Sequence, residues 1–129
     1  MSTIINTIES YSDLFFQPPA SNNEIADAEK RLSVQFAPDY RECVAEYGAV
    51  AVNGHELTGI LNSERLSVVS VTIREWGLNS QVPRSMYVVE NPAIDGIIIW
   101  QDVGGEIYKS SPNSAPKVIA SSLVEYLTS

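Results

Sequence analysis

Apolar residues recur at helical spacing in the N-terminal part of the chain and at strand spacing further on. Ile4, Ile8, Tyr11 and Phe15 form one stripe, with Ile5 and Leu14 widening it, which predicts a first helix. Pro18-Pro19 ends it, because proline cannot continue a helix and restricts the residue before it. Ser21-Asn22-Asn23-Glu24 then reads as a capping box, in which hydroxyl and carboxylate each satisfy the other residue's free backbone N–H. Ile25, Ala28 and Leu32 follow on one face, so a second helix is predicted from about Asn22 to Ser33. Its acids lie towards the start and Lys30-Arg31 towards the end, matching the helix dipole. Pro38-Asp39-Tyr40 suits the first turn of a third helix with Tyr40, Val44 and Tyr47 inward, and Gly48 as a left-handed cap.

Beyond Gly48 the pattern changes. Glu56 to Leu61 predicts a short strand, in which Gly59 permits close approach of another backbone. Leu66 to Trp76 is ambiguous: Leu66, Val69, Ile73 and Trp76 fit helical spacing, but the β-branched residues favour a strand. Met86 to Glu90 predicts a strand, and Asn91-Pro92 and Asp95-Gly96 mark turns. Gly96 to Gln101 is apolar on both faces, as in a covered central strand. Val103-Gly104-Gly105 reads as a hairpin turn into an outer strand from Glu106 to Lys109. Ser110 to Lys117 reads as a loop, and Ile119, Leu123, Tyr126 and Leu127 as a closing helix. Helices, then a run of strands, then a helix predict an α+β fold with a mainly antiparallel sheet. At 129 residues the chain reads as one domain, residues 1–129.

Composition narrows the function classes. The 44% hydrophobic content supports a folded core. Sixteen acidic against eight basic residues give a net charge of −8. That argues against binding nucleic acid or an anionic membrane, which need clustered Lys and Arg; it permits a basic protein partner. Cys43 is the lone cysteine, which suits a reducing compartment. No basic residue precedes Lys30, and the longest apolar runs are Ala49 to Val52 and Ile97 to Trp100. A secretory leader or membrane span is not expected, and a cytoplasmic location is.

The search for chemistry is mostly negative. His55 and Cys43, one of each type, cannot build a structural zinc site. Asp95-Gly96 and Asp102-x-Gly104-Gly105-Glu106 superficially resemble oxygen-ligand loops, but Asp and Gly are ordinary turn formers. A Cys43–His55 nucleophilic pair, a nucleophile elbow and a phosphate loop are not supported. No metal, cofactor or catalytic residue is expected. Acids and aromatics cluster in the strand-rich half, including Trp76, Trp100 and Tyr108. Trp100 reads as core, while the acids read either as a solvated face or as a docking surface.

Several segments together carry a family resemblance. They are Ser21-x-x-Glu24-Ile25, Ala28-Glu29-x-x-Leu32, Phe36-Ala37-Pro38-Asp39-Tyr40 and Tyr47-Gly48. Further on come Glu56-Leu57-x-Gly59, Arg74 before a loop with Pro83, Tyr87 to Asn91, and Asp102-x-Gly104-Gly105-Glu106-Ile107. With the last helix, this order resembles the Smi/Knr family of the SUKH superfamily from about Ser21 to Leu127. Ala37-Pro38 stands where that family usually has Leu-Pro. The resemblance implies an α+β fold with a mixed, largely antiparallel sheet flanked by N-terminal helices and a short C-terminal helix, and turns the reading of Leu66 to Trp76 towards helix. It also implies a non-catalytic role. Bacterial members are mostly immunity proteins that neutralise a cognate toxin, often a nuclease or a deaminase; fungal members are cell-wall signalling scaffolds. The expected partner is a toxin with a basic surface, met by Glu56, Glu90, Asp95, Asp102 and Glu106, with Tyr87 as aromatic anchor.

Overall fold

The structure, a computed structural model, describes residues 3–129. Its helices are α1 (Thr3–Glu9), α2 (Asn22–Leu32), α3 (Pro38–Glu46), α4 (Val68–Leu78) and α5 (Leu123–Thr128). Its strands are β1 (Phe15–Phe16), β2 (Val50–Val52), β3 (His55–Glu56), β4 (Tyr87–Glu90), β5 (Ile98–Gln101), β6 (Ile107–Ser110) and β7 (Lys117–Ala120). They form two antiparallel sheets, ordered β1-β2-β3 and β4-β5-β6-β7. A bridge between Leu57 and Glu90 joins one to the other. The fold is α+β, as expected, and the one parallel pairing described is the bridge from Gly59 to Ser67.

Local chemistry explains most of the elements. The capping box of α2 forms: Glu24 N–H donates to Ser21 Oγ at 3.1 Å, and Ser21 N–H to Glu24 Oε1 at 2.9 Å. Residues 68–78 form a helix despite their β-branched side chains. Ser67 caps it, and Val68, Val71, Thr72 and Trp76 are buried along one side while Ile73 and Arg74 are exposed. Burial of that stripe outweighs propensities worth a few tenths of a kcal/mol per residue, order ~0.5. The Trp76 indole N–H donates to Met86 O and Val88 N–H donates to Thr72 Oγ1, fastening α4 to β4.

Several expectations are corrected. α1 stops at Glu9, Ser10 making its last backbone bonds to Asn6 and Thr7, and Phe15 and Phe16 pair with Ala51 and Val50 instead of extending the helix. Val50–Val52 is a strand where only an apolar run was noted. Lys117–Ala120 is an edge strand, not loop and helix; α5 begins at Leu123 behind its own cap, Ser122. Gly48 is not a left-handed cap, since Tyr47 ends α3 in extended backbone. A Cβ on Gly48 would collide with the carbonyl oxygen of Pro18, and one on Gly59 with that of Gly48. Close approach at Gly59 was expected, although the strand predicted from Glu56 to Leu61 shrinks to His55–Glu56 with isolated bridges at Leu57 and Gly59; at Gly48 the close neighbour is a different segment, the one at Pro18.

The core is organised around three rings packed edge-on or tilted, Phe36, Tyr40 and Tyr87, with centroids 4.8–5.2 Å apart. A polar chain threads it. The Tyr87 hydroxyl donates to Gln101 Oε1 at 2.7 Å and accepts from Ala37 N–H at 2.8 Å. Gln101 Nε2 donates to Asp39 Oδ1 at 2.9 Å, and Asp39 Oδ2 accepts from Leu123 N–H at 3.0 Å. One carboxylate thus ties the start of α3 to β5 and to the start of α5. Buried polar groups are costly unless paired, and no described buried side-chain nitrogen or oxygen lacks a partner.

Candidate functional site

The β5–β6 hairpin places an acidic pair that is both convergent and accessible. Its turn is closed by Gly105 N–H donating to Asp102 O at 3.0 Å, with Gly105 at φ +94°, a conformation open to glycine at no steric cost. Glu106 N–H donates to Asp102 Oδ1 at 3.2 Å. The Tyr108 hydroxyl donates to Asp102 Oδ2 at 2.8 Å and lies 3.3 Å from Glu106 Oε1. Burial, then the bond to Asp102, push this phenol well above its usual range. Tyr108 therefore stays a neutral donor that holds two carboxylates in place.

Strand alternation decides what surrounds them. Trp100 faces Tyr108 and Tyr108 faces Val118 across the ladder, so the three share one side of the sheet. α4 covers the β4–β5 part of that side; over β6–β7 it is open. Tyr108 is half-buried there, and Val118 and Val103 are 55% and 53% exposed. Two ordered acids, an aromatic body and exposed apolar groups make a surface that can steer and hold a basic protein.

The other expected residues are placed differently. Glu56 is exposed, but Arg65 grips both its oxygens, at 2.5 and 3.1 Å, and holds its carboxyl below the usual range. Asp95 is exposed in the β4–β5 turn, at the opposite end of β5 from Asp102. Tyr87 and Glu90 are corrections: they are 0% and 5% exposed and offer no docking surface. Tyr87 belongs to the core ring cluster. Glu90 Oε1 accepts from the Tyr126 hydroxyl at 2.5 Å and lies 2.9 Å from His55 Nδ1, while Oε2 accepts from Glu56 N–H at 2.8 Å. Tyr108, not chosen from sequence as an anchor, is the aromatic that stands with the acids. Its signal was available: Glu106 and Tyr108 are two apart in a strand, hence on one face.

The arrangement offers little to catalysis. The Cys43 thiol is buried and pushed up to about 12 by that burial, so it is not a thiolate nucleophile. His55 is engaged by Glu90 and stacks on Tyr126 with ring centroids 4.7 Å apart. Among the described residues no group of three or more His, Cys, Asp or Glu is arranged to hold a metal ion, and no helix is long and apolar enough to cross a membrane.

Comparison with known proteins bears on this geometry. The fold is similar to the crystal structure of a protein from Pseudomonas syringae pv. tomato, with a TM-score of 0.76. The match covers 97% of this chain and 99% of that one at 13% identity, which establishes a shared fold and no more. No curated protein matches at a significant level. Residues 22–127 match the family described as SMI1-KNR4 cell-wall, SUKH_6. That match spans every element from α2 into α5, and the chain belongs to the SMI1-KNR4 family of the SUKH group.

Proposed function

We propose that this protein is a non-catalytic immunity protein of the cytoplasm that binds a cognate bacterial toxin and occludes its working surface. Family membership over residues 22–127 carries the reading, and the open face bearing Asp102, Glu106 and Tyr108 supports where contact is made. A toxin acting on nucleic acid must attract phosphates, so its working face is basic. An acidic inhibitor competes for that face and associates fast. The net charge of −8 supports such steering. Asp95 contributes to the field more than to a defined contact, and Arg65 cancels most of the share of Glu56.

The test is affinity capture of the full chain from its own cells, followed by binding kinetics with the partner recovered. A stoichiometric basic toxin is expected, and co-expression with the chain should restore growth of toxin-producing cells. Asp102→Lys with Glu106→Lys should slow association about tenfold and flatten its salt dependence. Unchanged association would remove the face from the proposal. A non-toxic cell-envelope partner would favour the second reading, an interaction scaffold, which the family's cell-wall description supports.

A further inference from the structure

Beside the open face, a groove of about 280 Å³ lies between the last turn of α4 and the loops at one end of β5 and β6. Ile98 and Trp100 form its floor, and Leu78, 66% exposed, forms one rim. The Trp100 indole N–H donates to Ser110 Oγ at 2.9 Å, which fixes the ring. The opposite wall is tied to the helix end: Asn79 Nδ2 donates to Ser114 O at 2.9 Å, and Gln81 Nε2 to Asn113 O at 2.6 Å. The groove is therefore built in advance, and a ligand need not organise it.

Its electrostatics are one-sided. Glu75 is the one charged residue lining it. That carboxylate is largely covered, and its Oε2 pairs with the half-exposed guanidinium of the adjacent Arg74 at 3.1 Å. The C-terminal end of α4 meets the groove at Leu78 and Asn79, and α4 has no basic residue in its last turn. The negative end of the helix dipole is thus not countered by its own helix. An apolar trough with a negative head matches an aliphatic stem that ends in a cation. An acidic peptide would meet Glu75 and the helix carbonyls, and a purely apolar group would gain nothing from either, whereas a cation can share Glu75 with Arg74 and meet the carbonyl end of α4.

We infer that this groove receives a lysine or arginine side chain of the partner. The inference rests on the basic-partner reading above and adds a specific anchoring point to it. Trp100 supplies the readout, because its indole N–H gives a resolved proton–nitrogen NMR signal at the floor of the groove. N-acetyl-lysine methylamide, titrated into the full chain, should shift that signal saturably, with a Kd on the order of 1–10 mM. N-acetyl-norleucine methylamide, which lacks the ammonium, should bind at least about tenfold more weakly. The isosteric Glu75→Gln should weaken the lysine probe about threefold or more, and Leu78→Ala should weaken both probes. No shift with the lysine probe, or equal binding of norleucine, overturns the assignment and leaves the Asp102–Glu106 face to stand on its own test. A groove that takes lysine in a protein that captures no basic toxin keeps the assignment and removes the toxin reading.

Discussion

Two acidic centres on opposite ends of the strand region behave as opposites. Glu90 lies inside, with hydroxyl, imidazole and backbone N–H groups around its carboxylate. Asp102 and Glu106 lie outside, joined through one tyrosine hydroxyl and the Glu106 N–H, with Asp102 half-buried and Glu106 exposed. The residues are chemically alike, yet one centre organises the fold and the other is free to meet a partner. The difference is what packs above them. α5 brings Tyr126 over Glu90, whereas nothing in the described structure covers the β6–β7 half of the sheet face. Charge in a sequence is therefore a poor guide to surface until the covering elements are placed.

This contrast can be broken by mutation. Glu90→Ala should have the largest effect, about 3 kcal/mol of lost stability read from urea unfolding, because buried donors lose their acceptor. Tyr87→Phe should cost about 1–2 kcal/mol by the same measurement, leaving Ala37 N–H and Gln101 Oε1 without their bonds. If either variant is as stable as the parent, the inner centre is not structural. Asp102→Lys with Glu106→Lys should change stability by less than about 0.5 kcal/mol, although the same pair slows partner association. A large loss of stability there would make the outer centre a second structural site and erase the contrast.

The smallest effect concerns Glu56. Arg65 holds its carboxyl below the usual range, so the pair's contribution is present above the ordinary carboxylate pKa. It is lost as pH falls through the lowered one. Arg65→Ala should move the Glu56 titration upward, followed by carboxyl-carbon NMR; both side chains are exposed, so little change in unfolding is expected. An unmoved titration would mean that the ion pair does not persist in solution.

How far the sequence foretold this depends on the range of the interaction. The α2 capping box and the β5–β6 turn were legible because each is set by residues within a few positions. The limits of α1, the helix at 68–78 and the strand at 117–120 were not, because distant pairing and burial override local preference there. Phe15 continues a helical stripe and still pairs with Ala51. The position of Asp102 and Glu106 at a turn was legible, and the structure places them there. Glu90 and Tyr87 were misjudged because alternation does not say which strands are covered on both faces. Tyr108 was overlooked though its spacing from Glu106 placed the two together.

The Asp39 carboxylate has a consequence for synthesis. Its second oxygen is satisfied by the amide of Leu123, 84 residues further along. At roughly 5–20 residues per second, translation needs roughly 4–17 s to cover that stretch. Until then α3 carries a carboxylate with an unmet acceptor, and α5 is not there to close over α1. The fold is thus completed only when the end of the chain arrives. On the proposed function, a cell is guarded by finished copies and gains nothing from nascent ones, so a reserve made before exposure matters more than a fast response.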